Sequence, residues 1–359
     1  MAGFKKENIV VGLMSGTSLD GLDFACCNFI CENNEWSFNL IKAETVTYSA
    51  KWMEKLYNAP QLDKNSLENL HLEYGQLLGK LTRDFINKNN LKPMLVASHG
   101  HTVFHEPAKG ITFQLGLGSA IAEATGINVV SDFRSLDVSL GGQGAPLVPV
   151  GDRLLFPDYD YCLNLGGFAN ISFENNRERI AFDICPVNIA LNHIVRSVNK
   201  EFDDNGNIAG TGKINMNLLS ELNNLDYYRK KHPKSLGREW FQAHFIPVIE
   251  NNKIDTADLL STVCEHIAIQ INSALKHKNK NAKLFITGGG AHNGFLIRRI
   301  KDVAGVEVII PDKDIVNFKE AVIFGLLGVL RMRNETNCLK SVTGASRDSS
   351  TGVISLSTL

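Results

Sequence analysis

Apolar residues in this chain fall into short β-branched runs and longer amphipathic stretches, a pattern that predicts alternating strands and helices. Strands are predicted at residues 9–11, from residue 22 onward, and at 36–48, 94–98, 127–131, 161–164, 180–184 and 284–287. Helices are predicted at residues 66–87, capped by Ser66, at 119–125, 188–198 and 255–275, with a last long helix opening at Glu320. Strands that alternate with helices in this way indicate an α/β protein.

The first predicted strand leads into a turn of small residues, followed by a second strand. Glycine lets a backbone come close to a ligand, and hydroxyls and exposed N–H groups are donors for phosphate. The carboxylates in the turn suit such a site only with a divalent cation or a ligand hydroxyl between them and the anion. A hairpin turn whose polar side chains bond their own backbone remains the alternative. The turn contains Gly12, Ser15, Gly16, Thr17, Ser18, Asp20, Gly21 and Asp23.

Length and composition narrow the class of protein. The chain has 359 residues, of which 44% are hydrophobic and 21% charged, and these values predict a soluble protein of two domains. A net charge of −1 argues against a dedicated nucleic-acid-binding protein. No apolar run is long enough to span a bilayer, and the seven scattered cysteines indicate reduced side chains. We therefore expect a cytoplasmic protein without nucleic-acid or membrane partners.

A histidine-rich segment follows the strand predicted at residues 94–98. His99, His101 and His105 could suggest a metal site, but only Glu106 lies near them as a further ligand. Ligand sites of open α/β sheets gather at the carboxyl ends of strands. We therefore interpret His99 as a contact to an organic ligand rather than to a metal.

Several uncommon strings resemble one family in order along the chain. S-G-T-S-L-D-G-L-D at residues 15–23 resembles the opening signature of the anhydro-N-acetylmuramic acid kinases, which are bacterial sugar kinases. G-G-Q-G-A-P-L-V-P at 141–149, N-L-G-G-F-A-N-I-S at 164–172, K-S-L-G-R-E at 234–239 and T-G-G-G-A-H-N at 287–293 resemble later motifs of that family. The resemblance covers nearly the whole chain.

This resemblance implies a two-domain actin-like ATPase fold, shared by acetate and sugar kinases, Hsp70 and actin, with a mixed sheet flanked by helices in each domain. Domain I is expected at residues 1–130 plus about 321–359, and domain II at 131–320, with ATP and sugar in the cleft between them. The implied reaction opens the 1,6-anhydro ring of 1,6-anhydro-N-acetylmuramate with water and phosphorylates O6. It uses ATP and Mg²⁺, serves cell-wall recycling, and belongs to a protein that is usually a homodimer.

The resemblance also implies roles for individual residues. Asp183 is expected to be the catalytic base and Asp20 to lie near the metal. The nucleotide is expected at Gly12, Ser15, Gly16, Thr17, Ser18, Asp20, Gly21, Asp23, Gly166, Gly167, Gly288, Gly289 and Gly290. The sugar is expected at His99, Thr102, Gln143, Gly144, Ala145, Pro146 and Glu320.

The chain departs from the family pattern at a few positions. Cys185 and Val187 replace two glycines of F-D-T-G-P-G-N, Leu117 stands where aspartate is usual, and His101 replaces the glutamine of S-H-G-Q-T. A kinase for another amino sugar and a non-catalytic nucleotide- or sugar-binding relative therefore remain alternatives. From the local pattern alone, Asp183 could instead cap the helix that follows it.

Overall fold

The computed structural model describes residues 7–16, 19, 21–275 and 281–357, which form two compact units. The first unit runs to Leu155 and resumes at Phe318, and the second comprises Phe156–Asn317. Residues 131–155 thus belong to the first unit, whereas the division expected from the sequence assigns them to the second domain.

The strands and helices are as follows. The strands are β1 Glu7–Ser15, β2 Gly21–Glu32, β3 Glu35–Thr47, β4 Leu95–Ser98, β5 His101–Glu106, β6 Ile111–Leu115, β7 Val129–Ser131, β8 Tyr161–Leu165, β9 Phe168–Asn175, β10 Glu178–Pro186, β11 Lys283–Thr287, β12 Glu307–Ile309 and β13 Val353–Ser355. The helices are α1 Ala50–Asn58, α2 Lys64–Lys88, α3 Gly118–Thr125, α4 Ser135–Ser139, α5 Val148–Leu155, α6 Asn188–Val195, α7 Met216–Asn223, α8 Arg238–Trp240, α9 Ile246–Asn251, α10 Thr256–Ala274, α11 Gly294–Ala304, α12 Lys313–Met332 and α13 Lys340–Thr343.

The first unit contains a six-stranded mixed sheet in the order β13-β7-β4-β1-β2-β3. β1 pairs antiparallel with β2 and parallel with β4, and β4 pairs parallel with β7. The carboxyl ends of β1, β4 and β7 therefore lie along one edge of the sheet. α4 contacts β6 and α5 contacts β3, which explains why residues 131–155 pack with the first unit.

The core of the first unit lies between this sheet and its helices. Val11 and Leu13 of β1 are fully buried, as are Tyr74 and Leu78 on one face of α2. The ring of Phe24 on β2 stacks on that of Phe85 on α2, with centroids 4.8 Å apart. This packing fixes the position of the strand that carries the first glycine turn.

Two helix starts differ from the sequence prediction. α2 begins at Lys64 because Asp63, rather than Ser66, caps it, and the Asp63 carboxylate accepts hydrogen bonds from the N–H groups of Asn65 and Ser66. α12 begins at Lys313, where Asp312 Oδ1 accepts a bond of 3.0 Å from the N–H of Ile315. Glu320 therefore lies inside α12 rather than at its start.

The second unit contains a five-stranded mixed sheet in the order β10-β9-β8-β11-β12. β8, β9 and β10 form an antiparallel meander, while β8, β11 and β12 are parallel. α10 covers this sheet with a fully buried stripe that includes Leu260, Val263, Ile267 and Ile271. Within the described residues, no helix is both long and apolar enough to cross a bilayer.

Candidate active site

The carboxyl edge of the first sheet collects polar side chains from three parallel strands. Ser15 ends β1, His99 follows β4, and Asp132 follows β7. The N–H of His99 donates to the carbonyl of Leu13 at 3.0 Å, which fixes His99 beside β1. The expected clustering of ligand-binding residues at strand ends is present in this unit.

Ser15, at the end of β1, is part of a buried hydrogen-bond chain. Tyr48 donates to Ser15 Oγ at 2.9 Å, and the Tyr48 and Tyr74 hydroxyls are 2.6 Å apart. Ser15 Oγ also lies 3.2 Å from Nδ1 of His101. Burial lowers the pKa of His101 to about 4, so its ring is neutral at physiological pH. Ser15, the last residue of β1, is therefore held by Tyr48, which directly follows β3, and by His101 on β5.

Arg134 joins two of the motifs expected on the sugar side. Its Nη2 lies 2.8 Å from Nε2 of His99, and its Nη1 donates to the carbonyl of Gly144 at 2.6 Å. His99 Nδ1 lies 2.9 Å from the Gly100 carbonyl, so the neutral ring carries its proton on Nδ1 and accepts at Nε2. Burial and the Arg134 charge lower the His99 pKa well below its usual value. Arg134 was not among the predicted site residues, since its place shortly after the end of β7 marks it only as a polar residue near a strand end.

The turn that contains Gln143, Gly144, Ala145 and Pro146 is fixed by the fully buried Asp137. Asp137 Oδ2 accepts a bond of 2.7 Å from the N–H of Gly144, and its Oδ1 accepts one of 2.8 Å from Thr343 Oγ1. The N–H of Gln143 donates to the Thr343 carbonyl at 2.8 Å, and the Ala145–Pro146 peptide is cis. The Gln143–Pro146 turn is thus hydrogen-bonded to the C-terminal segment of the same unit.

Glu320 lies in α12 among buried charges. The neighbouring Lys319 forms a buried ion pair of 3.1 Å with Asp152. Burial raises the pKa of Glu320, while the positive charges of Lys319 and Arg134 act in the opposite direction. Burial also lowers the pKa of Arg134 to about 10, and Glu320 opposes that change. Arg134 thus couples Glu320 electrostatically to the side of the unit that carries His99 and Gly144.

Gly12 lies inside β1 and Gly21 opens β2, so neither is in the turn where the sequence placed them, and packing accounts for both glycines. A Cβ at Gly12 would lie 1.9 Å from the Ala321 carbonyl oxygen of α12, and one at Gly21 would lie 2.7 Å from the Val46 carbonyl oxygen. Asp23 Oδ1 accepts a bond of 2.5 Å from Thr45 Oγ1 on β3.

The other residues expected around the first turn divide between the described and the undescribed parts of the chain. Gly16 follows β1, and Thr102 lies on β5 opposite Gln114. The predicted residues Thr17, Ser18 and Asp20 lie outside the described residues.

In the second unit, Asp183 lies near the end of β10 and is held through its backbone and its side chain. Its N–H donates to the Lys234 carbonyl at 3.2 Å, and its carbonyl accepts from the Tyr227 hydroxyl at 2.6 Å. Its Oδ2 accepts a bond of 2.8 Å from the N–H of Leu236. Burial raises the pKa of the Asp183 carboxyl. α6 begins at Asn188 with Val187 at its N-cap, so the alternative that Asp183 caps this helix is wrong.

The hairpin Gly166–Gly167 between β8 and β9 is bonded to the segment that follows Asp183. Val187 and Ile189 donate their N–H groups to the Gly167 carbonyl, at 2.8 and 3.2 Å, and Asn188 donates to the Gly166 carbonyl at 3.2 Å. These contacts form although Val187 replaces a family glycine. A Cβ at Gly167 would have no atom within 4 Å, so space beside this glycine is open to a ligand.

The third glycine turn, Gly288 to Gly290, follows β11, which runs parallel to β8. A Cβ at Gly290 would lie 2.7 Å from Leu165 Cβ, whereas one at Gly289 would meet nothing closer than Asn188 Nδ2 at 3.5 Å. This turn therefore lies directly beside the end of β8, where the Gly166–Gly167 hairpin begins.

A metal site formed by protein ligands alone is not found among the described residues, none of which form a group of three or more His, Cys, Asp or Glu suited to hold an ion. His99 and His101 have the partners given above, and His105 Nδ1 lies 3.2 Å from Thr112 Oγ1.

The two units define a class of protein. Each is a mixed sheet flanked by helices, with glycine turns and polar side chains at the carboxyl ends of its strands, as expected for an actin-like ATPase of the sugar kinase type. Among solved structures, component A of (R)-2-hydroxyglutaryl-CoA dehydratase from Acidaminococcus fermentans resembles this chain with a TM-score of 0.48 at 10% identity, over 89% of this chain and 97% of that one.

Comparison with protein families identifies the particular family. The family model of anhydro-N-acetylmuramic acid kinase matches residues 8–357, and the chain belongs to this family. Proteins named anhydro-N-acetylmuramic acid kinase are 32% identical in Caldanaerobacter subterraneus subsp. tengcongensis, over 98% of both chains, and 34% identical in Francisella tularensis subsp. novicida, over 93% of this chain and 95% of that one. The chain is thus a sugar kinase that uses ATP.

Proposed function

We propose that this enzyme converts 1,6-anhydro-N-acetylmuramate, ATP and water to N-acetylmuramate 6-phosphate and ADP. The water oxygen bonds to the anomeric carbon as the bond from that carbon to O6 breaks. O6 bonds to the γ-phosphorus as the bond from that phosphorus to the ADP oxygen breaks. The proton released by the water is accepted by Asp183.

The observation that supports this proposal most is the environment of Asp183. One carboxylate oxygen accepts the Leu236 N–H, which orients the group, and burial raises its pKa toward the range of a useful general base. The Tyr227 hydroxyl and the Lys234 carbonyl hold the backbone of the same residue. A carboxylate held in this way can take a proton without reorganising.

We assign the phosphates of ATP to Gly16, Thr17 and Ser18 of the first unit and to the Gly166–Gly167 hairpin of the second. Gly167 supports this assignment because its backbone is open to close approach by an anion. Mg²⁺ is proposed as the companion of ATP, with Asp20 as its carboxylate. A magnesium ion bound to ATP needs only one or two protein carboxylates, since phosphates and water supply its other ligands.

We assign the sugar to His99, Thr102, the Gln143–Pro146 turn and Glu320, and we add Arg134. The guanidinium of Arg134 bonds both His99 and the carbonyl of Gly144, so it sets the spacing of two sugar-side elements. A guanidinium also suits the carboxylate of the lactyl group of a muramic acid. The proposed setting is recycling of cell-wall sugars in the cytoplasm by a homodimer.

The test is incubation of the purified enzyme with ATP and 1,6-anhydro-N-acetylmuramate, with the product identified by mass. A product heavier than the sugar by one phosphoryl group and one water supports ring opening coupled to phosphorylation. Transfer only to another amino sugar, in a panel that includes N-acetylglucosamine and N-acetylmannosamine, would instead assign a different substrate. Nucleotide binding without transfer to any sugar would favour the non-catalytic alternative.

A further inference from the structure

The second unit contains a cavity of about 310 Å³ beside β10 and the carboxyl end of α10. Phe182 and Ile184 of β10 line it. Phe182 and Asp183 pair in regular register with Ile171 and Asn170 of β9, and the irregularity of β10 begins only after Asp183. Because successive side chains of a regular strand point to opposite faces, the Asp183 carboxylate is on the face opposite to Phe182. The cavity is therefore separate from the place where Asp183 would act.

The inner walls of the cavity are apolar and aromatic. Phe173 meets Phe182 edge to face, with ring centroids 6.3 Å apart, and the ring of His232 stacks on that of Phe182 at 5.7 Å. Ala274 of α10 also lines the cavity. The volume is that of a pocket for a small organic molecule, and the stacked rings favour a flat one.

A buried polar network fixes the wall on the α10 side. His266 is fully buried, and its two ring nitrogens lie 2.7 Å from Asn223 Oδ1 and 2.9 Å from the Tyr228 hydroxyl. Gln270 donates to the same Asn223 oxygen at 2.9 Å. Tyr228 and Gln270 both line the cavity, so this wall is formed before any ligand arrives.

The rim of the cavity is cationic. Lys230 and Lys231 are exposed there, and the Lys234 ammonium lies 4.5 Å from the ring centroid of Tyr227 and 5.7 Å from that of Phe182. Among the described residues that line the cavity, none is acidic. A ligand with a negative group at the rim and a flat apolar body inside would match both parts.

We propose that this cavity is a second ligand site, which takes an organic anion with a flat apolar body and a phosphate, sulfonate or carboxylate head. Nothing in this assignment depends on the identity of the phosphorylated sugar. The assignment is based on the shape and the charge of the cavity.

Ligand binding in this cavity affects Asp183, because the segment Lys234–Leu236 both contributes to the cavity wall and holds Asp183. Lys234 lines the cavity, and its carbonyl accepts the Asp183 N–H at 3.2 Å. Two residues further on, the Leu236 N–H donates to the Asp183 carboxylate. A ligand that draws the Lys234 ammonium toward its anionic head therefore shifts the segment that orients Asp183. This second step rests on the proposed role of Asp183 as the base.

The experiment uses the full chain and the fluorescent anion anilinonaphthalene sulfonate, in excess ADP so that the probe does not report on a nucleotide site. The Lys230→Gln/Lys231→Gln variant should raise the probe's Kd about fivefold, the effect of two exposed charges. Ser273→Phe, which adds a ring at the edge of the cavity, should abolish the binding. Lys253→Gln and Lys301→Gln, two exposed lysines elsewhere in this unit, are matched controls and should change nothing.

The uncharged analogue phenylnaphthylamine separates charge from apolar contact. Its affinity should fall with Ser273→Phe and stay constant in the lysine variant. Equal probe affinity in all variants, with melting temperatures unchanged, would overturn the site.

The link to Asp183 is read from the rate of sugar phosphorylation at saturating probe, which should change in the wild type and not in Ser273→Phe. If the variants weaken probe binding but the probe leaves the phosphorylation rate of the wild type unchanged, the proposed effect on Asp183 is refuted. An enzyme inactive on the proposed sugar would still give the binding result, so the two proposals fail separately.

Discussion

The Oγ of Ser15 lies 3.2 Å from Nδ1 of His101, and this contact sets the direction of the buried hydrogen-bond chain. Tyr48 gives its single hydroxyl proton to Ser15, so Tyr74 must donate to Tyr48. The Ser15 proton is then left for Nδ1 of His101, which accepts only while the ring nitrogen is unprotonated. This hydrogen-bond chain ends at His101, the residue that replaces the glutamine usual in the family.

We predict that His101→Gln preserves the hydrogen bonds of this network, since a glutamine side chain also offers an acceptor oxygen. His101→Leu removes the acceptor and leaves the buried Ser15 hydroxyl proton without one, at a cost of about 1–3 kcal/mol in the free energy of unfolding. Urea unfolding of both variants measures this. Equal stability of the two variants would mean that the contact with Ser15 contributes nothing.

The stability of the protein should depend on pH through the same histidine. Burial lowers the His101 pKa from 6.5 to about 4, and that of His266 to about 3. Between the unfolded and folded pKa values the unfolded chain binds more protons, so stability falls as pH drops. From about pH 7 to about pH 5 the wild type should lose about 2 kcal/mol more than His101→Gln. The exposed His232→Gln is the matched control, and it should follow the wild type.

The sequence predicted much of the fold because strand runs and helical spacing are local signals. The strand at 94–98 and the helix at 119–125 are confirmed as β4 and α3. The role of Arg134 was not predictable, because its partners His99 and Gly144 come from other segments that meet only in the folded unit. The cap at Asp63 was missed because Ser66, three residues on, has equal capping chemistry.

Two of the glycines predicted to bind nucleotide should behave differently when replaced. Gly12→Ala places a Cβ against the Ala321 carbonyl, so we predict a loss of about 3 kcal/mol or more in unfolding free energy. Gly167→Ala meets no atom and should leave stability within about 0.5 kcal/mol. If the Gly167 backbone contacts phosphate, the KM for ATP should nevertheless rise about tenfold. An unchanged KM would remove Gly167 from the nucleotide site.

Asp137→Ala should destabilise the first unit and weaken sugar binding together. The change leaves the buried Gly144 N–H without its acceptor, and the Thr343 hydroxyl keeps only its longer bond of 3.3 Å to the Leu339 carbonyl, which costs about 2–3 kcal/mol in total. Because the Gln143–Pro146 turn loses this anchor, the KM for the sugar should rise while the KM for ATP changes little. Chemical unfolding and steady-state kinetics measure both effects, with the exposed Asp158→Ala as control. A normal sugar KM in a destabilised variant would confine Asp137 to a structural role.

Asp183→Asn tests the proposed base with little change in shape. The asparagine oxygen still accepts the Leu236 N–H, so stability and binding of ATP should match the wild type, while kcat falls at least about a hundredfold. In the wild type, kcat should fall as pH drops through the pKa of Asp183, which burial raises, because the protonated carboxyl cannot accept a proton. Asp226→Asn, an exposed aspartate of the same unit, should retain full activity at every pH. Near-normal turnover in Asp183→Asn would assign the proton to another acceptor and leave Asp183 as a residue that only orders the Lys234–Leu236 segment.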